Sequence, residues 1–302
     1  YKPPNTLVII TKTDHVNLVS IRMYRAFRLP QIAFLGAGKL VEALTKGFVS
    51  AGTIQLHEIW SSAPTERDIK WLQKLGCKTT TDNVKLAKEN NLIILAVKPQ
   101  ILLHVLREIA PHLSADHLIL SFAAGIKIQT MEMLLPPQTR IVRLMTNTPV
   151  QYREGVSAFT LGTNCLPEDR KFVNQLMNSV GYCTELEESL LDTVTGAAGG
   201  GPAYAYTFID AIADGAVHGG MNRAEALIMA AKTVLGAAKM IIETEKHPGE
   251  LKDAVCSGGG STIHGIYSLE SGGMRGAVID AVKAATERSR KLGESLNGTK
   301  QT

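Results

Sequence analysis

Residues 31–44 read as an apolar strand, a two-glycine turn and a helix in direct succession, and that order leaves few folds open. Gln31-Ile32-Ala33-Phe34-Leu35 is an apolar run of strand length. Gly36-Ala37-Gly38 follows without a spacer, and Lys39-Leu40-Val41-Glu42-Ala43-Leu44 continues as a helix. A strand that turns on GxG into a helix N-terminus is the opening unit of a dinucleotide-binding α/β sheet. Gly36 permits the tight turn. Gly38 lets the backbone approach a pyrophosphate, whose charge the helix N-terminus favours. The third position of the fingerprint is Val41, neither Gly nor Ala, so an ordinary βα turn is the competing reading.

The following segments fit the same sheet. Glu58-Ile59-Trp60 reads as the end of a second strand, beyond which NAD-type folds carry an acid for the ribose 2′-hydroxyl. Here the chain continues Ser61-Ser62-Ala63-Pro64-Thr65, with no acid until Glu66 and with Arg67 beside it. Two hydroxyls without a repelling carboxylate suit a 2′-phosphate, so NADP(H) is the expected cofactor and NAD(H) the alternative. Leu92–Val97 is a continuous apolar run, as in a strand covered on both faces, and ends in Lys98-Pro99. Leu118–Gly125 is the next such strand, Ile141–Pro149 continues the sheet, and Val156–Thr160 and Tyr182–Leu186 close it. The expected cofactor domain is 31–187.

From Glu188 to the end, 188–302, the pattern is helical. Glu188–Gly196 and Pro202–Val217 have helical spacing, with a turn expected at AAGGGPAY between them. Ala230–Ile242 is apolar on most sides, and a segment of this kind needs an external partner. Self-association through this half follows. Gly258-Gly259-Gly260 lies between two helical segments, and Ser261 and Thr262 come next. A glycine turn that opens a helix exposes backbone N–H groups suited to a carboxylate; a flexible helix–helix connection is the other reading.

At Asp253–Glu270 the chain resembles the signature of the Δ1-pyrroline-5-carboxylate reductase family, and the resemblance runs from Gln31 to about Arg290. It implies an α/β fold: an N-terminal Rossmann-type dinucleotide-binding domain followed by an all-α dimerisation domain with interleaved helices. Many members assemble beyond the dimer. The implied reaction is hydride transfer from NAD(P)H to the imine carbon of 1-pyrroline-5-carboxylate, giving L-proline in the last step of proline biosynthesis. The resemblance implies cofactor contacts at Leu35, Gly36, Ala37, Gly38, Lys39 and Leu40, and at Ser61, Ser62 and Asn83, the last at the adenosine end. It implies a nicotinamide wall at Ala96, Val97, Lys98 and Pro99, with Phe122, Ala123 and Ala124 at the same edge. Glu188, Gly260, Ser261 and Thr262 would meet the imino acid, with Thr262 as the donor to its ring nitrogen. The chain departs from the family pattern at Val41, Ala63, Ala198, Gly200, Ala254 and Gly258.

Other features narrow the alternatives. The net charge of the 302 residues is +4, but Lys2, Lys12, Arg22, Arg25 and Arg28 against Asp14 carry it within residues 1–30. The remainder is near neutral, which argues against nucleic acid as a partner, and no apolar run reaches membrane-spanning length. Residues 1–30 have no clean period and read as a disordered or artefactual leader. A cytoplasmic location follows if translation begins near Met23, and a mitochondrial one if the leader is genuine. Cys77, Cys165, Cys183 and Cys256 read as free thiols. No metal site is expected, since Asp192, Asp210 and Asp214 read as solvated or interhelical groups. His247 reads as a turn contact before Pro248-Gly249, and His264 as facing helix packing. The competing functions are a catalytically impaired NADP-binding homologue and a β-hydroxyacid-dehydrogenase-like oxidoreductase. The second would need a catalytic lysine earlier than Lys232 or Lys239.

Overall fold

The computed structural model describes residues 31–297. The expectation of a leader at 1–30 lies outside the described residues. The chain divides into two units, one running to Leu191 and resuming at Gly293, the other Asp192–Leu292.

The first unit is built on one sheet. Its elements in order are β1 (Ile32–Leu35), α1 (Lys39–Ser50), β2 (Ile59–Ser62), α2 (Glu66–Leu75), β3 (Lys78–Thr80), α3 (Asn83–Glu89) and β4 (Leu92–Leu95). There follow α4 (Pro99–Ile109), β5 (Leu118–Ser121), α5 (Ile128–Glu132), β6 (Arg140–Met145), β7 (Gly155–Leu161), α6 (Pro167–Asn178) and β8 (Gly181–Glu185). The strand order is β3-β2-β1-β4-β5-β6-β7-β8. The first six strands are parallel, β7 runs antiparallel to β6, and β8 is parallel to β7.

The continuous apolar strands follow from this order, because β1 and β4 are covered on both faces. Ile32, Phe34 and Ile94 point into one core layer with Leu44 and Phe48 of α1. Ala33, Leu35, Ile93 and Leu95 point into the other, with Leu102 and Leu106 of α4. Alternation along an extended chain sends successive side chains to opposite layers. The strand order turns outward in both directions from β1 and β4, which is where such sheets open a crevice at their carboxyl ends.

Several strand boundaries differ from expectation. Leu56–Glu58 is a 3-10 turn, closed by Glu58 accepting the Gln55 N–H at 2.9 Å. The second strand therefore begins at Ile59 and takes in Ser61 and Ser62 instead of ending before them. β4 stops at Leu95 and β5 at Ser121, so Ala96–Lys98 and Phe122–Gly125 are edge loops. The first unit extends past 187 to Leu191 and recovers the chain at Gly293, where a Cβ would collide with the Gly125 carbonyl. The last helix belongs to the first unit at its end because two glycine backbones meet there.

The second unit contains the remainder of α7 (Leu191–Val194), then α8 (Gly201–His218), α9 (Arg223–Thr244), α10 (Pro248–Ala254), α11 (Ser261–Ser271) and most of α12 (Met274–Asn297). No turn separates α7 from α8. Thr195–Gly199 forms a π-helical turn, with the Gly200 N–H reaching the Thr195 carbonyl at 3.0 Å. Pro202 falls in the first turn of α8, where its missing N–H is tolerated. Tyr204 donates its hydroxyl to the Gly196 carbonyl at 3.1 Å, which ties α8 to the wide turn. The buried apolar cluster of this unit consists only of Ala213, Ala226 and Ala230. Ile228, Ile242 and Tyr267 are 64%, 74% and 74% exposed. Alanines let α8 and α9 approach closely but bury little area, so most of the apolar surface of these helices remains in solvent in the single chain. None of the described helices is long and apolar enough to cross a membrane.

Candidate dinucleotide cradle and anion-facing helix terminus

The carboxyl edge of the first sheet gathers most of the residues expected to meet a cofactor. Gly36 has φ +120° and donates its N–H to the Ser62 carbonyl at 2.9 Å. A Cβ there would lie 2.7 Å from the Ala96 carbonyl oxygen, so glycine is required by both conformation and space. Gly38 is the N-cap residue of α1, and a Cβ built on it meets nothing within 4 Å. The helix opens without a side-chain cap, which leaves its first N–H groups free of local acceptors. Leu35 is buried beneath this turn, and Leu40 is half-buried. Lys39 is exposed and paired with Glu42 at 3.0 Å. Val41 is fully buried among Phe34 and Phe48. The third fingerprint position thus faces the core, and a valine fits there without a glycine-close helix approach.

One determinant of this turn was not visible in the sequence. Trp71 of α2 donates its indole N–H to the Ala37 carbonyl at 3.2 Å, across 34 residues. A trans peptide holds its C=O and N–H antiparallel, so fixing the Ala37 oxygen also fixes the direction of the Gly38 N–H. Nothing in the spacing of α2 marks Trp71 for this contact, because the pairing exists only after the sheet forms.

Ser61 and Ser62 have hydrogen-bond partners within the protein. Both are buried in β2. The Ser61 hydroxyl donates to the Gly36 carbonyl at 2.8 Å, and the Ser62 hydroxyl to Asn83 Oδ1 at 2.7 Å. Both protons are directed to groups of the protein. Asn83, the first residue of α3, shares the edge with them and donates Nδ2 to Glu108 Oε2 at 2.8 Å. Ala96 and Val97 are half-buried, and Lys98 caps α4 in an extended conformation with Pro99 in the first turn. Phe122 and Ala124 are half-buried, while Ala123 is buried.

Glu188 belongs to the first unit. Its Oε1 accepts the Ile128 N–H at 2.8 Å and faces Arg143 Nη1 at 3.1 Å. Arg143 is 3% exposed on β6. Glu188 thus combines a place in a helical first turn with an ion pair to a buried guanidinium.

Gly260, Ser261 and Thr262 lie in the second unit. Gly259 turns the chain with φ +70°, and Gly260 is the N-cap of α11 without a side-chain cap. A Cβ at Gly260 would clash with the Ser257 side chain. The helix therefore opens on bare N–H groups at Ser261 and Thr262, both exposed in the single chain. The sequence left an anion site and a flexible connection open; the turn is ordered by the Gly260 N–H to Ser257 carbonyl bond at 3.1 Å.

Two histidines resolve simply. His247 caps α10, its Nδ1 accepting the Gly249 N–H at 3.0 Å. His264, expected to face helix packing, is exposed in the single chain, with Nδ1 2.9 Å from the Gly260 carbonyl. Asp192 accepts from Ser289 at 2.7 Å, and Asp214 pairs with Arg223 at 2.6 Å. Among the described residues no three His, Cys, Asp or Glu side chains are grouped to hold a metal.

The parallel sheet in the order 3-2-1-4-5-6, its GxG turn and its uncapped helix define a dinucleotide-binding α/β protein joined to a helical unit. Comparison with known proteins narrows this class. Residues 188–292 match the family of pyrroline-5-carboxylate reductase dimerisation domains, and residues 31–125 the family described as NADP oxidoreductase, coenzyme F420-dependent. The chain is 46% identical over 267 residues to pyrroline-5-carboxylate reductase 2 of Bos taurus, covering 86% of this chain and 83% of that protein. It is 46% identical over 265 residues to the pyrroline-5-carboxylate reductase of Methanosarcina acetivorans, covering 87% and 98%. Among solved structures it superimposes on Plasmodium falciparum pyrroline carboxylate reductase with NADP bound, at TM-score 0.81 and 32% identity, over 87% and 98% of the two chains. The chain belongs to the pyrroline-5-carboxylate reductase family.

Proposed function

We propose that this protein reduces 1-pyrroline-5-carboxylate to L-proline with NADP(H) as the preferred dinucleotide and NAD(H) as the alternative, the last step of proline biosynthesis. The observation that carries the reading is that one chain of this family contains both an uncapped GxG helix and an uncapped helix opening at Gly260–Thr262. The open space at Gly38 and the free N–H groups of α1 fit a pyrophosphate. Asn83 would meet the adenosine end, and Ala96, Val97, Lys98 and Pro99 would wall the nicotinamide, with Phe122–Ala124 beside them. When bound, the reduced nicotinamide supplies the hydride to the imine carbon.

The chain's own residues then bind, orient and donate. The N–H groups at the start of α11 suit the substrate carboxylate, because the helix terminus favours negative charge. The ring nitrogen gains electron density as the carbon is reduced, and the Thr262 hydroxyl is the donor there. A threonine is too weak an acid to supply the proton alone, so solvent delivers it through that contact. Glu188 would meet the imino acid through Oε2, since Oε1 is occupied by Arg143 and Ile128.

The partner is a second copy of the chain. The exposed Ile228, Ile242 and Tyr267 support a homodimer made by residues 188–302, the helical and substrate part, with higher homo-oligomers built from it. Neither nucleic acid nor a membrane is assigned as a partner. The location we assign is the cytoplasm, with the mitochondrion if residues 1–30 act as a leader.

The test is NADPH oxidation by the purified protein with 1-pyrroline-5-carboxylate, beside Thr262→Ala. Oxidation by the parent with a large loss of kcat in the variant is the expected result. NADPH binding without oxidation by the parent would mean an impaired homologue and overturn the reading.

A further inference from the structure

The sequence offers no acid beyond β2 until Glu66, yet the fold delivers one to that point from α4. Ser62 is the last residue of β2, and its hydroxyl donates to Asn83 Oδ1 at 2.7 Å. Asn83 Nδ2 donates in turn to Glu108 Oε2 at 2.8 Å. A carboxylate only accepts, so Glu108 fixes the amide with its NH2 toward α4 and its oxygen toward Ser62. The end of β2 is where doubly wound sheets place the adenosine ribose, and an acid there accepts from the 2′-hydroxyl. The serine protons are both used elsewhere, on Asn83 and on the Gly36 carbonyl. Beyond these bonds Asn83 keeps one amide N–H, and the exposed Glu108 carboxylate lies beside it.

We propose that Glu108 is a specificity-determining residue of the dinucleotide site, which accepts from a ribose 2′-hydroxyl and repels a 2′-phosphate. It thereby keeps NAD(H) in competition with NADP(H). This rests on the reading of the edge as a dinucleotide site. The opposing cation is Arg67, exposed in the first turn of α2 and in no ion pair among the described residues. Discrimination between the two dinucleotides is then a contest between Glu108 and Arg67. The carboxylate is distant in sequence from β2 and enters only through the packing of α3 on α4.

The experiment is calorimetric binding of NADPH and of NADH to the full protein, comparing the parent with Glu108→Gln, Glu108→Lys and Glu89→Gln. Glu89 is exposed at the far end of α3, so its change removes the same charge away from Asn83. The affinity ratio of NADPH to NADH is expected to rise roughly 5- to 10-fold in Glu108→Gln and further in Glu108→Lys, with Glu89→Gln matching the parent. Glu108 is exposed, and a thermal melt checks that each variant is folded. A ratio that stays at the parent value in both Glu108 variants overturns the proposal, as does an equal rise in Glu89→Gln. Failure of the parent to bind either dinucleotide overturns the site reading itself, an outcome distinct from an unchanged ratio.

Discussion

Arg143 on β6 faces Glu188 at 3.1 Å, on the same carboxylate oxygen that accepts the Ile128 backbone N–H at 2.8 Å. The guanidinium is nearly all buried while the carboxylate is partly open, so the arrangement depends on the acid remaining in place. Glu188→Ala should lower stability by about 1–3 kcal/mol, because a buried donor loses its acceptor and a buried cation loses a carboxylate. Urea unfolding at fixed protein concentration measures this. An unchanged midpoint would show that the pair contributes nothing.

The Trp71–Ala37 hydrogen bond makes a separate prediction about the dinucleotide turn. Trp71→Phe keeps an aromatic ring against the core and removes only the N–H contact to the loop. Loss of one such bond is expected to weaken dinucleotide binding roughly 3- to 10-fold, with kcat little changed. Calorimetry with NADPH reads the first quantity and saturating turnover the second. A fall in thermal stability with unchanged affinity would assign Trp71 to packing alone.

Gly36 and Gly38 should fail in different ways. Gly36→Ala forces a Cβ onto the Ala96 carbonyl at a backbone angle that L-residues avoid, so folding suffers along with binding. Gly38→Ala meets only open space in the protein, so its melting temperature should stay near the parent value while dinucleotide affinity falls. If Gly38→Ala binds NADPH as the parent does, the phosphate does not approach at that point.

Three thiols set a limit on alkaline stability. Burial raises the Cys77 and Cys165 thiols to about 11 and the Cys183 thiol to about 12. The unfolded thiols ionise near their ordinary value of about 8.5. The native state therefore holds these protons where the unfolded chain releases them, and stability falls as pH rises through that window. Melting temperatures should be level with respect to these groups below about pH 8 and decline from about pH 9 upward. Replacing Cys183 by Ala should flatten part of the slope, and an identical slope would exclude its thiol as a cause.

The strand–turn–helix opening, the apolar strands and the change to helical patterning at Glu188 were readable because each is a local pattern with its own physical requirement. Gly36 is an example, since its positive φ and its turn are properties of adjacent residues. The Gly260 turn opening α11 was also local. The AAGGGPAY turn was misread because glycines and proline permit several backbones, and it is the Gly200–Thr195 and Tyr204–Gly196 bonds that select a π-helical turn. The partners of the Ser61 and Ser62 hydroxyls were not legible, because a sequence does not show which carbonyl or amide will come to lie beside them.

The sequence by itself determined a doubly wound dinucleotide sheet followed by a helical unit with too little core of its own, because period-2 and helical apolar patterns and glycine turns act over a few residues. Only the tertiary structure decided that Trp71 holds Ala37, that Arg143 holds Glu188 and that Glu108 reaches Asn83 at the end of β2. Each of these joins residues from separate elements, and their partners are set by how helices pack on the sheet, a relationship that no local pattern encodes.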